Sequence, residues 1–312
     1  MKTLIIGAAG FVGPYLAEQL KNDFGGSVAV TKLPHEKFSL PGITAFDLDV
    51  TDKDAVYTLL ERERPDNIVH LAAQSSVALA WKEPQLTVEV NIVGCVNVLE
   101  AVRKTGYSPR ILLVGSGEEY GYTAAGQVPI SEEACPVPGN IYAATKTCQN
   151  MIGKIFASAY QMDVIMVRAF NHIGPGQTER FVVSDFCKQV AEIEAGKKEP
   201  VIHVGNLSAK RDFTDVRDIV RAYSLLLRKG EPGETYNVGS GKAIAVQEIL
   251  DKILELSISE IRVEQDVAKL RPVDVPVIEA DIKKLEQVTG WSPEMPLEDT
   301  LQAVLSDWRR RV

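Results

Sequence analysis

The chain has 312 residues, long for one compact core and short for three, so one large domain or two closely joined ones are expected. Its 45% apolar and 24% charged residues exclude wholesale disorder. Lys and Arg total 34 against 42 Asp and Glu, and 34 − 42 = −8 argues against broad binding to nucleic acid or an anionic membrane surface.

In chain order, short apolar runs bounded by turn signals predict strands at Leu4–Ile6, Val28–Thr31, Ile68–Leu71 and Ile111–Val114. Amphipathic stretches between them predict helices at Phe11–Phe24, Lys53–Glu63 and Leu86–Lys104. Buried strands alternating with helices imply an α/β fold with a doubly wound parallel sheet of Rossmann type, and ligands beyond the C-terminal strand ends. Tyr142–Tyr160 continues the alternation as a helix and Asp163–Arg168 as a strand. After about residue 170 turns become denser and helices less regular: Phe181–Ala195, Val216–Leu227, Val246–Leu256 and Glu298–Trp308. Residues 1–170 are therefore expected to form the dinucleotide-binding domain. Residues 171–312 are expected to form mainly a smaller α/β substrate domain, with segments returning to the main sheet. Arg309, Arg310 and Arg311 read as cations at a helix C-terminus.

No apolar run approaches the roughly 18 residues of a membrane span, and the opening MKTLIIGAAGFVG reads as a strand rather than a leader. Cys95, Cys135, Cys148 and Cys187 are scattered with no C-x-x-C pair, which fits neither a zinc ribbon nor a disulfide framework. A cytoplasmic protein without membrane or nucleic-acid partners is expected, and no metal.

Gly7-Ala8-Ala9-Gly10-Phe11-Val12-Gly13 follows the first strand and opens the first helix. Glycines there permit a tight turn and close approach of a pyrophosphate, and the helix N-terminus offers N–H groups and a positive dipole end. At the end of the second strand an acid would accept a ribose 2′-OH. Here Thr31 and Lys32 stand instead, with no acid before Glu36, which favours NADP(H) while leaving NAD(H) open. Among nine tyrosines only Tyr142 has a lysine four residues on, Lys146, a spacing that shares a helix face. The ammonium is expected to lower the phenol pKa, so that Tyr142 exchanges a proton with a sugar oxygen.

The G-x-x-G-x-x-G spacing and the Tyr142/Lys146 pair resemble the extended short-chain dehydrogenase/reductases. By that resemblance Asp49 and Val50 lie against the adenine, Leu71, Ala72 and Ala73 form the turn beside the cofactor ribose, and Asn91 is the structural Asn of the following helix. Ser116, in the run G-S-G-E-E-Y-G, hydrogen-bonds the substrate oxygen that Tyr142 protonates. The stretch Arg168 to Gln177, with Asn171, resembles the family's loop for a nucleotide-sugar diphosphate. Val204 to Phe213 and Arg271 to Val275 resemble the G-N-L-x-A-x-R-D and R-P-x-(D/E)-V segments of enzymes that act on GDP-mannose derivatives. Arg211 and Arg271 are planar forks suited to a pyrophosphate, and Asp274 suits a ribose hydroxyl or guanine N–H. A pair with Asp212 or Asp215 is the alternative for Arg211, and a solvated charge for Lys32 and Arg271.

Within that group two families compete. The dehydratases place a polar or acidic residue between the catalytic hydroxyl and Glu, where this chain has Gly117, and paired arginines after Phe-Asn-His, where it has Ile173 to Gln177. Both departures resemble the reductases that turn GDP-4-dehydro-6-deoxy-D-mannose into GDP-D-rhamnose, which is the expected activity. A GDP-mannose 4,6-dehydratase, or another nucleotide-sugar dehydratase or epimerase, is the alternative. Glu118 has three readings, a base, a sugar contact or a solvated carboxylate, and the sugar contact is carried forward with Ser75 in the same pocket. A nucleotide-sensing regulator is disfavoured because Ser116, Tyr142 and Lys146 are all retained. The stripes Leu86, Val90, Val93, Asn97 and Cys148, Ile152, Ile155, Phe156 imply, by the same resemblance, a homodimer through a four-helix bundle, with internal packing as the alternative.

Overall fold

The computed structural model describes residues 1–122, 128–269 and 275–312. The first half alternates β1 (Lys2–Ile6), α1 (Val12–Phe24), β2 (Ser27–Lys32), β3 (Thr44–Asp47), α2 (Lys53–Glu63) and β4 (Asn67–His70). It continues through the short helices α3 (Val77–Lys82) and α4 (Pro84–Val88), then α5 (Gly94–Thr105), β5 (Arg110–Ser116), α6 (Ile141–Tyr160) and β6 (Val164–Ala169). The second half runs β7 (Asn171–Ile173), α7 (Val182–Glu194), β8 (Val201–Val204), β9 (Lys210–Asp215), α8 (Val216–Lys229), β10 (Thr235–Val238) and β11 (Ala243–Ala245). It ends with α9 (Val246–Glu255), β12 (Arg262–Gln265), β13 (Val277–Ile278), α10 (Lys283–Thr289) and α11 (Leu297–Arg311).

Seven parallel strands form the main sheet in the order β10-β6-β5-β4-β1-β2-β3. The expected Rossmann-type doubly wound sheet is therefore present. Its faces bury two cores, one holding Leu16, Leu20, Val30, Val167 and Tyr223, the other Leu4, Ile68, Leu99, Ile111 and Val164. The strand order reverses between β1 and β4, so the loops leaving these strands diverge and open a crevice, the usual ligand position in such sheets. β10 pairs with β6, and α8 packs on α1, so two segments of the second half lie on the main sheet. The smaller lobe has its own core, with Phe186, Phe213, Ile249, Leu301 and Trp308, beside a sheet in which β9 pairs with β7, β11 and β13.

The ends of the expected strands and helices agree to within a few residues; α3 and the strands β7–β13 are additions, and so are three further features. The four-residue β3 lies on the sheet edge and its residues are exposed or half-buried, so its sequence lacks a buried strand's pattern. α10 spans only Lys283–Thr289, too short for a clear helical period. Between α4 and α5 the helix widens into one π turn, Glu89–Val93. There fully buried Asn91 accepts from Gln74 N–H (2.8 Å) and donates to Gln74 O (3.1 Å) and Thr145 Oγ1 (2.9 Å). The π turn thus presents a buried polar side chain that ties the helix to the Gln74 backbone and to Thr145.

Pro84–Thr105 is a 22-residue helical run whose most apolar 18-residue window has a mean hydropathy of 1.3, long and apolar enough to cross a membrane by length and composition. Glu89 and Glu100 interrupt it, so it is not an uninterrupted apolar run. Its packing against α2 and α6 gives the apolar side chains a protein partner. Arg309–Arg311 form the last turn of α11, as expected: Arg309 forks onto Glu194 (2.7 and 2.8 Å), and Arg310 and Arg311 reach Asp307 (3.3 Å each). The four cysteines are free, with Cys95 and Cys187 buried. Burial pushes the Cys95 thiol up to about 12. Among the described residues no His, Cys, Asp and Glu cluster fits a metal ion.

Candidate active site

Four neighbouring strands bring their ends to the crevice in register. Ile6 of β1 lies opposite His70 of β4, His70 opposite Leu113 of β5, and Ser116 of β5 opposite Ala169 of β6. The glycine loop therefore stands beside Leu71–Ala73, and Ser116 beside Phe170 and Asn171.

Gly7 has a φ of 85°, which a side chain disfavours, and a Cβ there would lie 2.5 Å from Ala72 Cα. Leu71 and Ala72 N–H both bond Ile6 O, at 2.9 and 2.8 Å, which locks the two turns together. A Cβ on Gly13 would stand 2.0 Å from Ala8 O, so loop and helix touch without room for a methyl group. Gly10 differs: a Cβ there meets nothing within 4 Å among the described residues. α1 starts with no side-chain cap and no acid in its first turn, so its N–H groups are open to an anion. A tight turn, an open Gly10 and an uncapped helix end are what a dinucleotide pyrophosphate requires, and the residues present fit one. Phe11 and Val12 pack into the core beneath, and the Phe11 ring stacks on His172 with centroids 6.0 Å apart.

Around the adenosine end the residues are already partly engaged. Thr31 is buried and its hydroxyl accepts from Gly7 N–H at 3.0 Å. This corrects the expected direct contact with a 2′-phosphate, because a buried side chain holds the loop from below. Lys32 is half-buried and paired with the exposed Asp47 at 2.5 Å across the β2–β3 ladder, so it is not a free solvated charge. Asp49 accepts from Thr51 N–H and hydroxyl at 2.9 and 2.8 Å, and Val50 packs in the core under Gly94. Asn97, from the expected outer stripe, instead donates to Val50 O (2.9 Å) and Thr51 O (3.2 Å).

Tyr142 and Lys146 sit in the first turns of α6, started by Asn140, whose side chain accepts from Ala143 N–H at 2.9 Å. Lys146 Nζ donates to Val114 O (2.7 Å) and Gln149 Oε1 (3.0 Å), which anchors α6 to the end of β5. Burial pulls the Lys146 ammonium down to about 8, against the nearby Glu119 carboxylate, which raises it. Tyr142 is 9% exposed. Its phenol is raised, first by burial, and then by the Glu118 and Glu119 charges, against a hydrogen bond with Ser116 that lowers it. The expected lowering by Lys146 is thus overturned: burial of the phenol sets the direction, and the charges that act on it are those of Glu118 and Glu119. A raised pKa keeps the proton on Tyr142, as a proton donor needs. His70, buried at the end of β4, is neutral, held down to about 3 by burial and then by the Lys146 charge.

Ser116 closes β5 and its hydroxyl accepts from Glu118 N–H at 3.2 Å. Glu118 is half-buried and accepts from Asn140 Nδ2 at 3.3 Å, which links it to the start of α6. Its three readings narrow by one, since it is not freely solvated. Ser75 is exposed on the turn after Ala73, and Asn171 is half-buried at the start of β7. Arg211 is buried on β9 and donates to Lys210 O (2.8 Å) and Val275 O (2.7 Å). Its alternative partners are engaged elsewhere: Asp212 accepts from Ser240 N–H (2.6 Å) and Gly241 N–H (2.9 Å), and Asp215 from Arg217 and Thr300 (each 2.7 Å). Arg271 and Asp274 lie outside the described residues.

The sequence reading passed over Asn140, Gln149 and Glu119. An Asn just before a helical stretch is an N-cap signal, and Gln149 lies three residues from Lys146 on one face, so both were legible. The role of Glu119 depends on a partner far away in the chain.

Against known proteins, residues 4–304 match the family model for GDP-mannose 4,6 dehydratase. The chain is 33% identical to GDP-6-deoxy-D-mannose reductase of Pseudomonas aeruginosa, over 100% of this chain and 98% of the relative. It is 28% identical to GDP-mannose 4,6-dehydratase of Yersinia enterocolitica, over 96% and 91%. Among solved structures, RMD from Pseudomonas aeruginosa complexed with NADPH superposes with a TM-score of 0.88 at 32% identity, covering 100% of both chains. The NAD complex of Thermus thermophilus UDP-glucose 4-epimerase gives a TM-score of 0.89 at 28% identity, again over 100% of both. With the family model matched over residues 4–304 and a 33% identical relative covered over nearly its full length, the chain belongs to the GDP-mannose 4,6-dehydratase family of extended short-chain dehydrogenase/reductases.

Proposed function

We propose that this enzyme reduces the 4-keto group of GDP-4-dehydro-6-deoxy-D-mannose to give GDP-D-rhamnose, with NADPH as the favoured reductant and NADH accepted. The observation that carries reduction over dehydration is Gly117. A Cβ there would lie 3.1 Å from Phe170 Cγ, and Phe170 is 2% exposed within a cluster with Tyr120, Ile130 and Ile278. A polar residue to help expel water at this position requires that held ring to give way. The full-length reductase relative and the NADPH complex of its structural neighbour support the same reading.

When bound, the reduced nicotinamide supplies the hydride that forms the new C4–H bond. Tyr142 delivers its phenolic proton to the sugar O4, while Ser116 hydrogen-bonds that oxygen as charge develops. Lys146, held by Val114 O and Gln149, sets a positive charge beside the nicotinamide ribose. Gly7, Gly10, Phe11, Val12 and Gly13 hold the pyrophosphate, Asp49, Val50 and Leu71–Ala73 flank the adenosine, and Lys32 meets the 2′-phosphate by exchanging Asp47 for it. Ser75, Glu118 and Asn171 contact the sugar, and Arg211, Arg271 and Asp274 hold the GDP moiety. Residues 1–170 serve mainly the dinucleotide and residues 171–312 mainly the nucleotide sugar.

Purified protein supplied with the keto sugar and NADPH is expected to bleach the nicotinamide absorbance and form GDP-rhamnose, with a lower kcat/KM for NADH. GDP-mannose alone is expected to yield no keto sugar. Formation of keto sugar from GDP-mannose, with no NADPH consumed in the first assay, identifies a dehydratase instead.

The pH dependence follows from Lys146. It is cationic below about 8 and loses its proton above. With Tyr142 raised and still protonated there, kcat/KM, which reports the ionisations of the free enzyme, is expected to fall as pH rises through about 8, with a single ionisation. A pH–rate profile flat to well above that point removes Lys146's charge from the mechanism.

The quaternary proposal is a homodimer through α4, α5 and α6. Met151, Ile155, Val93 and Leu86 are 60, 54, 44 and 43% exposed on this face, whereas Phe156 of the expected stripe is buried in the core. Light scattering is expected to give twice the chain mass, and a Met151→Asp/Ile155→Asp variant to give a monomer. A monomeric parent at micromolar concentration ends this proposal.

A further inference from the structure

The short turn after Ser116 hides a charged side chain that the proposed chemistry does not use. Glu119 is fully buried, and both its oxygens are engaged. Oε1 accepts from Ser116 N–H at 2.9 Å, and Oε2 accepts from Arg168 Nε at 2.9 Å. The Ser116 hydroxyl accepts in return from the turn, so Ser116 and Glu119 form a reciprocal capping box around Gly117–Tyr120. Such a box ordinarily faces water, but this one is closed under β5. Gly115 makes the room: a Cβ there would stand 2.3 Å from Glu119 Oε1.

Arg168 is in turn held in place. Its Nη1 donates to Tyr120 Oη at 2.9 Å and to Glu132 O at 3.4 Å, and its guanidinium lies 4.6 Å over the Tyr120 ring. Tyr120 Oη donates to Asn237 Oδ1 at 2.7 Å, and Asn237 donates to Ile130 O at 2.8 Å. Ser116 is therefore referenced to β6, β10 and the segment around Ile130 through one unbroken chain of polar contacts. A buried ion pair is weak as a source of stability, because apolar residues of similar volume serve as well or better. What this pair does supply is direction: it fixes the backbone of the residue whose hydroxyl must meet the substrate.

We propose that Glu119 is a positioning residue for catalysis, holding Ser116 through its backbone N–H with Arg168 as counter-charge. The inference rests on the reading of Ser116 and Tyr142 as the hydroxyl pair over the keto oxygen. It is tested by ratios of variant to parent, whereas that reading stands or falls on the parent's own activity.

Two variants separate positioning from folding. Glu119→Asp keeps the charge beside Arg168 but withdraws it by one methylene from Ser116 N–H. It is expected to lower kcat by about tenfold to a hundredfold, the order for a misplacement of about 1 Å, with KM for NADPH and keto sugar within about threefold of the parent. The Glu119→Leu/Arg168→Met double variant removes both charges together. It is expected to melt close to the parent and to show the same loss in kcat without a matching rise in KM. A parent-like kcat in either folded variant overturns the proposal, as does a loss carried entirely by KM. If the double variant does not fold, Glu119→Asp decides alone.

Discussion

Tyr142→Phe is expected to lower kcat by about a hundredfold to ten-thousandfold, the range for removal of a positioned general acid. The phenyl ring fits where the phenol stood, since Tyr142 is buried on its helix with Asn140 capping the first turn. Its loss of the hydrogen bond with Ser116 is expected to reduce stability by only about 1 kcal/mol. The variant should therefore purify folded and bind NADPH with near-parent affinity. Steady-state kinetics with the keto sugar, alongside a thermal melt, separate these effects. A kcat within about tenfold of the parent assigns the proton to another group.

The second large effect comes from a pair of glycines with opposite consequences. Gly13→Ala forces a methyl group to 2.0 Å from Ala8 O, and neither atom is on a flexible side chain. Loop and helix must separate, so a loss of about 3 kcal/mol in stability is expected, the upper range for overpacking. Gly10→Ala meets nothing within 4 Å among the described residues and leaves stability within about 1 kcal/mol of the parent. Its methyl group instead projects toward the place assigned to the pyrophosphate. NADPH affinity is expected to fall at least about tenfold, seen as a smaller rise in Tm on adding the cofactor. Gly10→Ala with an undiminished NADPH-induced rise would falsify the placement of the pyrophosphate at this loop.

These two experiments probe features with different origins in the sequence. The glycine loop was legible because its information is local: a strand, a turn and a helix within the first 24 residues. Tyr142 and Lys146 were legible for the same reason, since a spacing of four residues on a helix sets a shared face without reference to anything else. Buried strands β1, β2, β4, β5 and β6 announced themselves through continuous apolar runs. β3 did not, because an edge strand with exposed and half-buried residues carries no such run.

Electrostatics at the site followed a different rule. The Tyr142/Lys146 spacing suggested a phenol made more acidic by its neighbour, but burial of Tyr142 dominates and raises it. Depth below the surface is a property of the assembled sheet and of α6 lying against β5, and no local pattern encodes it. Thr31 is a similar case. Its place at the end of β2 suggested contact with ligand, yet the loop from β1 folds over it and takes its hydroxyl.

By itself the sequence determined the alternating fold and singled out the glycine loop and the proposed proton donor, because each depends on residues close along the chain. Only the tertiary structure decided how those parts are held. Glu119 meets Arg168 across 49 positions, and Tyr120 meets Asn237 across 117. Phe170 closes over Gly117 only because β6 lies beside β5 in register. Contacts of this kind are set by strand order and register, which the packing of the whole sheet selects. The charge of −8 describes the molecule as a whole, whereas the pairing of each buried charge is decided by which strands become neighbours.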